Sequence, residues 1–315
     1  MRYVKCRGID KDWSAVTLGC WQIGPSEGWG DACAPQEADA VVKAALDCGI
    51  TAFDTAEGYG DGESERRLGK ALGSRKGEVI VVSKIWPDAE LDLESYRERL
   101  DGSLKALRRD YVDVYLVHWP GDYFNTPEKS ARLREIMSAL QESGKAKVVG
   151  LSNFHARDLS LLGEGTGRFA INQVPYSLLD RRYEGETLAL CRNAGVRYMA
   201  YSPTAVGLLA RDLSKEELQP AARRDHELYR EPYFSHSLKV FQKVKEVSAE
   251  LGVLPIQTAL AWVLSRENIL TAIVGSRKPG QVKELAGSAG LRLDQAHLDL
   301  LTAASAVFHK VRPGY

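Results

Sequence analysis

The chain has 315 residues, with 42 basic side chains against 42 acidic ones and 44% hydrophobic residues. Zero formal charge argues against a nucleic-acid binder with a broad basic face, and no run of ~18 apolar residues is present to cross a membrane. Five scattered cysteines without C-x-x-C spacing and six histidines without H-E-x-x-H or H-x3-H spacing suit neither a disulfide framework nor a metal site.

The N-terminus, MRYVKCRGIDKDWS, carries charges but no apolar core, so it does not read as a signal peptide, and a cytoplasmic protein is expected. Its fourteen residues read as a short hairpin ahead of the main fold, closing its N-terminal end. From residue 15, runs rich in Val, Ile, Leu and aromatics alternate with stretches of helical period. The first run is 15–21, and the helix Gln36–Cys48 comes next, with Gly49 as its stop. Runs at 49–54 and 79–84 precede a helix at Leu93–Arg108. The run 112–118 precedes a helix at Pro127–Ser143, ended by Gly144. Runs at 147–153, 170–173 and 197–202 lead to a charged insertion, 204–236, with a short helix expected around Lys215–Arg224. The helix Leu238–Leu251, stopped by Gly252, and a run at 270–276 complete the pattern.

Eight such runs in about 300 residues predict a single (β/α)8 barrel, one domain over residues 1–315, rather than two domains. The rival, a doubly wound sheet, calls for a Gly-rich turn after its first strand. None is present, and Gly58-Tyr59-Gly60-Asp61-Gly62 follows the second run and lacks G-x-G-x-x-G spacing.

Chemistry in such a barrel sits at the C-terminal ends of the strands. The second run ends at Asp54, the third at Lys84 and the fourth at His118, with Tyr59 five residues beyond Asp54. Taken singly, each is ordinarily a cap, half of an ion pair or packing. Together they make a proton-transfer set. A free phenol titrates near ~10, and an ammonium beside it favours the phenolate. Lys84 supplies that charge, Asp54 holds Lys84, and His118 orients a substrate oxygen. Asp113 reads as structural, and Glu65 as an acid favourably placed in the first turn of a helix.

These segments resemble the aldo-keto reductase superfamily: Phe53-Asp54-Thr55-Ala56-Glu57-Gly58-Tyr59-Gly60 with Ser64-Glu65 and Leu68-Gly69, then Val82-Ser83-Lys84, then Tyr115-Leu116-Val117-His118-Trp119-Pro120. The resemblance runs to about residue 290 and is closer to the bacterial reductases and potassium-channel β-subunit-like members than to the aldose reductase group. It implies catalysis by Asp54, Tyr59, Lys84 and His118, and NADP(H) as cofactor. Ser152, Asn153 and Gln173 then meet the nicotinamide carboxamide, and Tyr201, in Tyr201-Ser202-Pro203, stacks on its ring. Gly207 to Leu209 cover the pyrophosphate. In Gly275-Ser276-Arg277-Lys278-Pro279 a helix N-terminus with adjacent cations suits an anion; the resemblance implies the 2′-phosphate on Ser276 and Arg277, with Gln281 and Glu284 near the adenosine. Gln281 and Leu285 stand where Arg and Asn are frequent, which weakens the case for NADP over NAD.

Trp21, Trp86 and Trp119 end or follow three runs and suit a wall for an apolar carbonyl compound. The expectation is an NADPH-dependent reductase of aldehydes or ketones. The alternatives are an NADPH-binding regulatory subunit with little turnover, or a Schiff-base lyase on Lys84, which leaves Gln173, Tyr201 and residues 276–281 unexplained. The loops Gly121–Thr126, 204–236 and Leu291–Tyr315 would choose the substrate and carry no diagnostic motif, and no signal of oligomeric state is present.

Overall fold

Strands buried on both faces need continuous apolar runs, because helices cover the outside and side chains fill the inside. Val112–Val117, VDVYLV, is of that kind, buried at every position. The computed structural model describes residues 1–25, 28, 33–121, 125–213, 218 and 220–308. Strands β1 (Tyr3–Cys6) and β2 (Ile9–Ser14) form the expected antiparallel hairpin. Then come β3 (Val16–Gly19), β4 (Ala52–Asp54), β5 (Ile80–Ile85), β6 (Val112–Val117), β7 (Ala146–Ser152), β8 (Ile171–Pro175), β9 (Arg197–Tyr201) and β10 (Ile269–Gly275). These eight pair in parallel in chain order, and β10 returns to β3 to close the barrel.

Successive residues of a strand point to opposite faces, so each strand divides its side chains by parity. Ala52, Ile80, Val82, Val114, Leu116, Val148, Ile171 and Met199 fill the barrel interior. Phe53, Val81, Tyr115, Val149, Val174 and Ala200 pack in the layer between strands and helices. Trp13, Ile9 and Cys6 of the hairpin join the interior cluster and plug the N-terminal end. On β7 the interior position between Val148 and Ser152 is Gly150, where a Cβ would lie 2.5 Å from the Leu116 side chain and 2.9 Å from the Ile171 carbonyl. A side chain there would collide with two neighbouring strands.

The four long helices expected from the sequence are present with shifted ends, and further helices, among them Glu63–Leu72, Pro255–Leu264 and Pro279–Gly287, join them. The first runs from Pro35 to Asp47, and Leu93–Leu107 begins at Asp92, whose carboxylate accepts the Ser95 N–H. The helix expected from Leu238 begins earlier, at Tyr233, just after Pro232, and ends at Gly252 in left-handed conformation (φ 65°). In the insertion a helix spans Ala221–Arg224; most of the expected stretch before it (215–217 and 219) lies outside the described residues, as do 122–124 and the tail 309–315. Among the described residues no single helix is long and apolar enough to cross a membrane.

Two carboxylates of the fold have clear roles. Asp113 is structural, as expected: it pairs with Lys11 of the hairpin and with Arg109, each at 2.8 Å, and accepts the Val81 N–H. Glu65 stands in the first turn of its helix, as expected, and the structure adds its burial. It is 1% exposed, because its position on the helix Glu63–Leu72 faces the outer side of β5, where Ser83 Oγ donates to it at 2.5 Å. Burial holds its carboxyl above the usual carboxylate range, ahead of the lowering by Ser83. The native state then binds this proton more tightly than the unfolded chain, so the stability it contributes is present at low pH and lost as pH rises from ~4.3 through the native value. Glu65→Gln keeps the shape without ionising. Urea unfolding from pH 4.5 to pH 8 is expected to show the variant gaining stability relative to wild type as pH rises; parallel curves would show that Glu65 carries no such linkage.

Candidate active site

Parity places the chemistry. Asp54 shares the interior face of β4 with Ala52, Lys84 shares that of β5 with Ile80 and Val82, and His118 extends the face of Val114 and Leu116 one residue beyond β6. Ser152, Gln173 and Tyr201 stand likewise on the inward parity of β7, β8 and β9. All therefore converge on the inside of the barrel at its C-terminal rim.

Lys84 lies at the bottom of this convergence with no exposure at all. A buried ammonium is tolerable only when its three N–H donors are matched. Here Nζ donates to Asp54 Oδ2 at 2.9 Å, to the Thr55 carbonyl at 2.7 Å and to the Tyr59 hydroxyl at 3.2 Å. Burial alone would lower its pKa, but Asp54 and Tyr59 outweigh that and hold it above the usual lysine value. The other Asp54 oxygen accepts from Gln173 Nε2 at 2.7 Å. A carboxylate only accepts, so the amide must turn its NH2 toward Asp54 and keep its carbonyl oxygen for another partner.

Tyr59 departs from the expected electrostatics. Burial raises its pKa more than Lys84 lowers it, and Asp54 adds to the rise, so the phenol sits above the ordinary tyrosine value. It is an un-ionised acid at neutral pH, with a cation waiting beside its oxygen. His118 is held well below the usual histidine value, by burial first and by Lys84 second, and is therefore neutral. The rings of Tyr59 and His118 meet edge-on at 5.6 Å. Among the described residues no hydrogen bond reaches His118 Nδ1.

Above these groups opens a cavity of about 1310 Å³, larger than the ~300–1,000 Å³ typical of a single small-molecule pocket. Its walls include Asp54, Tyr59, His118 and the three tryptophans, which are 38%, 41% and 42% exposed at Trp21, Trp86 and Trp119. Such exposure marks cavity walls rather than core packing. Ser152, Asn153, Gln173, Tyr201, Ser202 and Pro203 line one side. Asn153 and Ser202, each directly after a strand, hold left-handed backbone (φ 66° and 50°), a conformation uncommon outside glycine. The Asn153 amide donates to the His118 carbonyl and to Ser152 Oγ and accepts from the Tyr201 hydroxyl at 2.9 Å, which pins the Tyr201 ring at the wall.

At the far end Gly207, Gly275, Ser276, Arg277, Gln281 and Glu284 also face the cavity, ahead of the helix Pro279–Gly287. Gln281 Oε1 accepts the Arg277 N–H at 3.0 Å and faces Ser276 Oγ at 3.3 Å, so it braces the turn that carries both. Leu209, expected on the wall at Gly207, is instead fully buried in the outer core, because an apolar side chain is more stable there than at a polar rim. The structure adds Gln22 and Arg223 to the lining. Arg223 is buried and donates to the Val206 carbonyl at 3.1 Å. Gln22 follows the first run with no neighbouring motif, and Arg223 lies in the insertion, so no local pattern marked either.

A neutral phenol and a neutral imidazole flanking one point, with a buried cation behind the phenol, can protonate a substrate oxygen and stabilise the charge left behind. Residues 15–306 match the family model described as the aldo/keto reductase family. The aldo-keto reductase YhdN of Bacillus subtilis is 29% identical over 306 residues, covering 93% of this chain and 90% of its own. An NADH-specific methylglyoxal reductase of Escherichia coli is 28% identical over 323 residues, covering 96% of this chain and 97% of its own. A solved aldo-keto reductase from Klebsiella pneumoniae in complex with NADPH superposes with a TM-score of 0.76 at 27% identity, over 100% of this chain and 97% of that one. The chain belongs to the aldo/keto reductase family.

Proposed function

We propose that the protein is an NADP(H)-dependent carbonyl reductase, converting an aldehyde or ketone to its alcohol and running in reverse when the alcohol is in excess. The observation that carries this reading is the Lys84 ammonium bonded at once to Asp54, the Thr55 carbonyl and the Tyr59 hydroxyl, beneath a cavity that Tyr59 and His118 both face.

The walls suit a nicotinamide dinucleotide. Gln173 Oε1 takes no hydrogen bond from a described residue, and it offers an acceptor for a carboxamide N–H at the inner wall. Tyr201, pinned through Asn153, offers a flat face. Ser276 and Arg277 ahead of a helix N-terminus offer donors and a cation for a phosphate. The cofactor, when bound, supplies a hydride to the carbonyl carbon. The protein does the rest. Tyr59 gives its proton to the carbonyl oxygen, and the phenolate that remains is stabilised by the ammonium 3.2 Å away. His118, neutral, holds the carbonyl oxygen by an N–H without adding charge that would drive Lys84 apart from Tyr59. Asp54 keeps Lys84 charged and fixed, and Gln173 braces Asp54.

Tyr59→Phe removes the proton donor and leaves the cofactor walls intact. Its kcat for aldehyde reduction is expected to fall by ~10²–10⁴ with the NADPH Kd unchanged, measured by stopped-flow and fluorescence titration. Near wild-type turnover would end the assignment. A wild type that binds NADPH but reduces no member of an aldehyde and ketone panel would favour the regulatory-subunit reading.

Reduction needs protonated Tyr59, whose pKa lies above the ordinary ~10, and neutral His118, whose pKa lies well below ~6.5. The kcat for reduction is therefore expected to stay flat between about pH 6.5 and pH 9 and to fall only at higher pH. A limb near pH 6.5 would show that His118 titrates in the working range.

Arg277 carries the preference for the 2′-phosphate in this reading. Arg277→Ala is expected to raise the KM for NADPH about tenfold or more, the worth of a charge-assisted hydrogen bond, with the KM for NADH little changed. Equal change for both cofactors would remove the preference from Arg277.

A further inference from the structure

A second ion pair stands beside the reacting groups and takes no part in the chemistry above. Glu57 lies two residues before Tyr59, and its side chain is 14% exposed. Arg99, on the helix Leu93–Leu107, grips it with two prongs, Nε to Oε2 at 3.0 Å and Nη2 to Oε1 at 2.6 Å, while its Nη1 reaches Asp88 at 2.9 Å. Glu57 Oε1 also accepts the backbone N–H of Trp86 at 2.6 Å. One carboxylate thus joins the loop that bears Tyr59, the loop that follows Lys84 and a helix of the outer layer.

Trp86 is the first residue past β5, so its N–H has left the strand ladder and depends on Glu57 for a partner. Its indole meets the His118 ring edge-on at 5.0 Å, with planes 87° apart. It also lies over Gly58, where a Cβ would come within 3.5 Å of the ring. The ring still faces the cavity. Apolar contact alone lets a flat ring slide; the Glu57 bond sets where the side chain starts, and the planar guanidinium fork holds Glu57 in one orientation.

We propose that the Glu57–Arg99 pair is a specificity clamp that fixes Trp86 against His118 and so builds the wall that receives the ring of an aromatic carbonyl substrate. Glu57 and Arg99 are positioning residues, acting through Trp86 rather than on the reacting atoms. A small substrate that reaches Tyr59 and His118 without leaning on Trp86 is indifferent to the clamp. The kinetic side of this inference rests on the carbonyl-reductase reading.

The test compares 4-nitrobenzaldehyde with methylglyoxal, using NADPH. Glu57→Ala is expected to raise the KM for the aromatic aldehyde about tenfold, the scale on which one apolar pocket contact discriminates, while the KM for methylglyoxal and both kcat values move less than about twofold. Arg99→Lys, which keeps the charge but loses the fork, is expected to show the same selective rise at smaller size. In a Trp86→Ala background Glu57→Ala should add nothing further, since the two act through one wall. A crystal structure of Glu57→Ala is expected to show the Trp86 ring displaced from His118. Equal KM changes for both aldehydes, additive effects with Trp86→Ala, or an unmoved Trp86 ring would each overturn the clamp. If the wild type reduced neither aldehyde nor any other member of the aldehyde and ketone panel, the reductase reading would fail, and the position of Trp86 in that crystal structure would still decide the clamp.

Discussion

The buried pairing of Lys84 with Asp54 is the constraint around which the rim is arranged. Removing an ammonium and a carboxylate from water costs several kcal/mol per ion, and only close pairing with every donor and acceptor satisfied offsets it. The Lys84 ammonium meets this with three bonds, and Asp54 with one bond from Lys84 and one from Gln173. The pairing spans β4, β5 and β8, so the electrostatics and the barrel closure support each other. A site held by strands is also more rigid than one held by loops, and the strand-borne Lys84 fixes the loop-borne Tyr59 through its hydrogen bond.

Burial has opposite consequences for the two rings at this rim. It holds the Tyr59 proton on and the His118 proton off, and in both cases it is the largest influence. Lys84 pushes the two groups in directions that its charge dictates, toward the anion for the phenol and away from the cation for the imidazole. The outcome is an acid and a neutral donor side by side. In the proposed reaction Lys84 matters less for lowering the resting pKa of Tyr59 than for stabilising the phenolate at the moment it forms, from 3.2 Å away.

The support for this rim extends outward in layers. Behind β5, Ser83 alternates with Lys84 and reaches the buried Glu65, so one strand carries a functional contact on its inner face and an anchoring one on its outer face. Below, Trp13 and the hairpin seal the end where no chemistry occurs. Above, Glu57 ties the first loop past Lys84 to the loop of Tyr59. Trp86, exposed at the cavity, is held by this contact and its edge-on meeting with His118 rather than by packing on all sides.

Much of this was legible in the residues alone. Eight apolar runs with helical stretches between them imply a barrel, and period-two alternation carries Asp54, Lys84, Ser152, Gln173 and Tyr201 to one interior, because parity is a local property of the chain. The candidates for the proposed proton-transfer set stood out from the same pattern, Asp54, Lys84 and His118 each ending a run and Tyr59 following the first of them by five residues. Other features depend on neighbours distant in sequence. That Glu65 is buried follows from which helix packs on β5, and that Leu209 turns into the core while Gln22 and Arg223 face the cavity follows from how loops far apart in the chain meet. The sign of the Tyr59 shift belongs to this group as well. A list of charged neighbours predicts a lowered value, but the raised one comes from the desolvation of the assembled cavity, and no segment of the chain contains that information by itself.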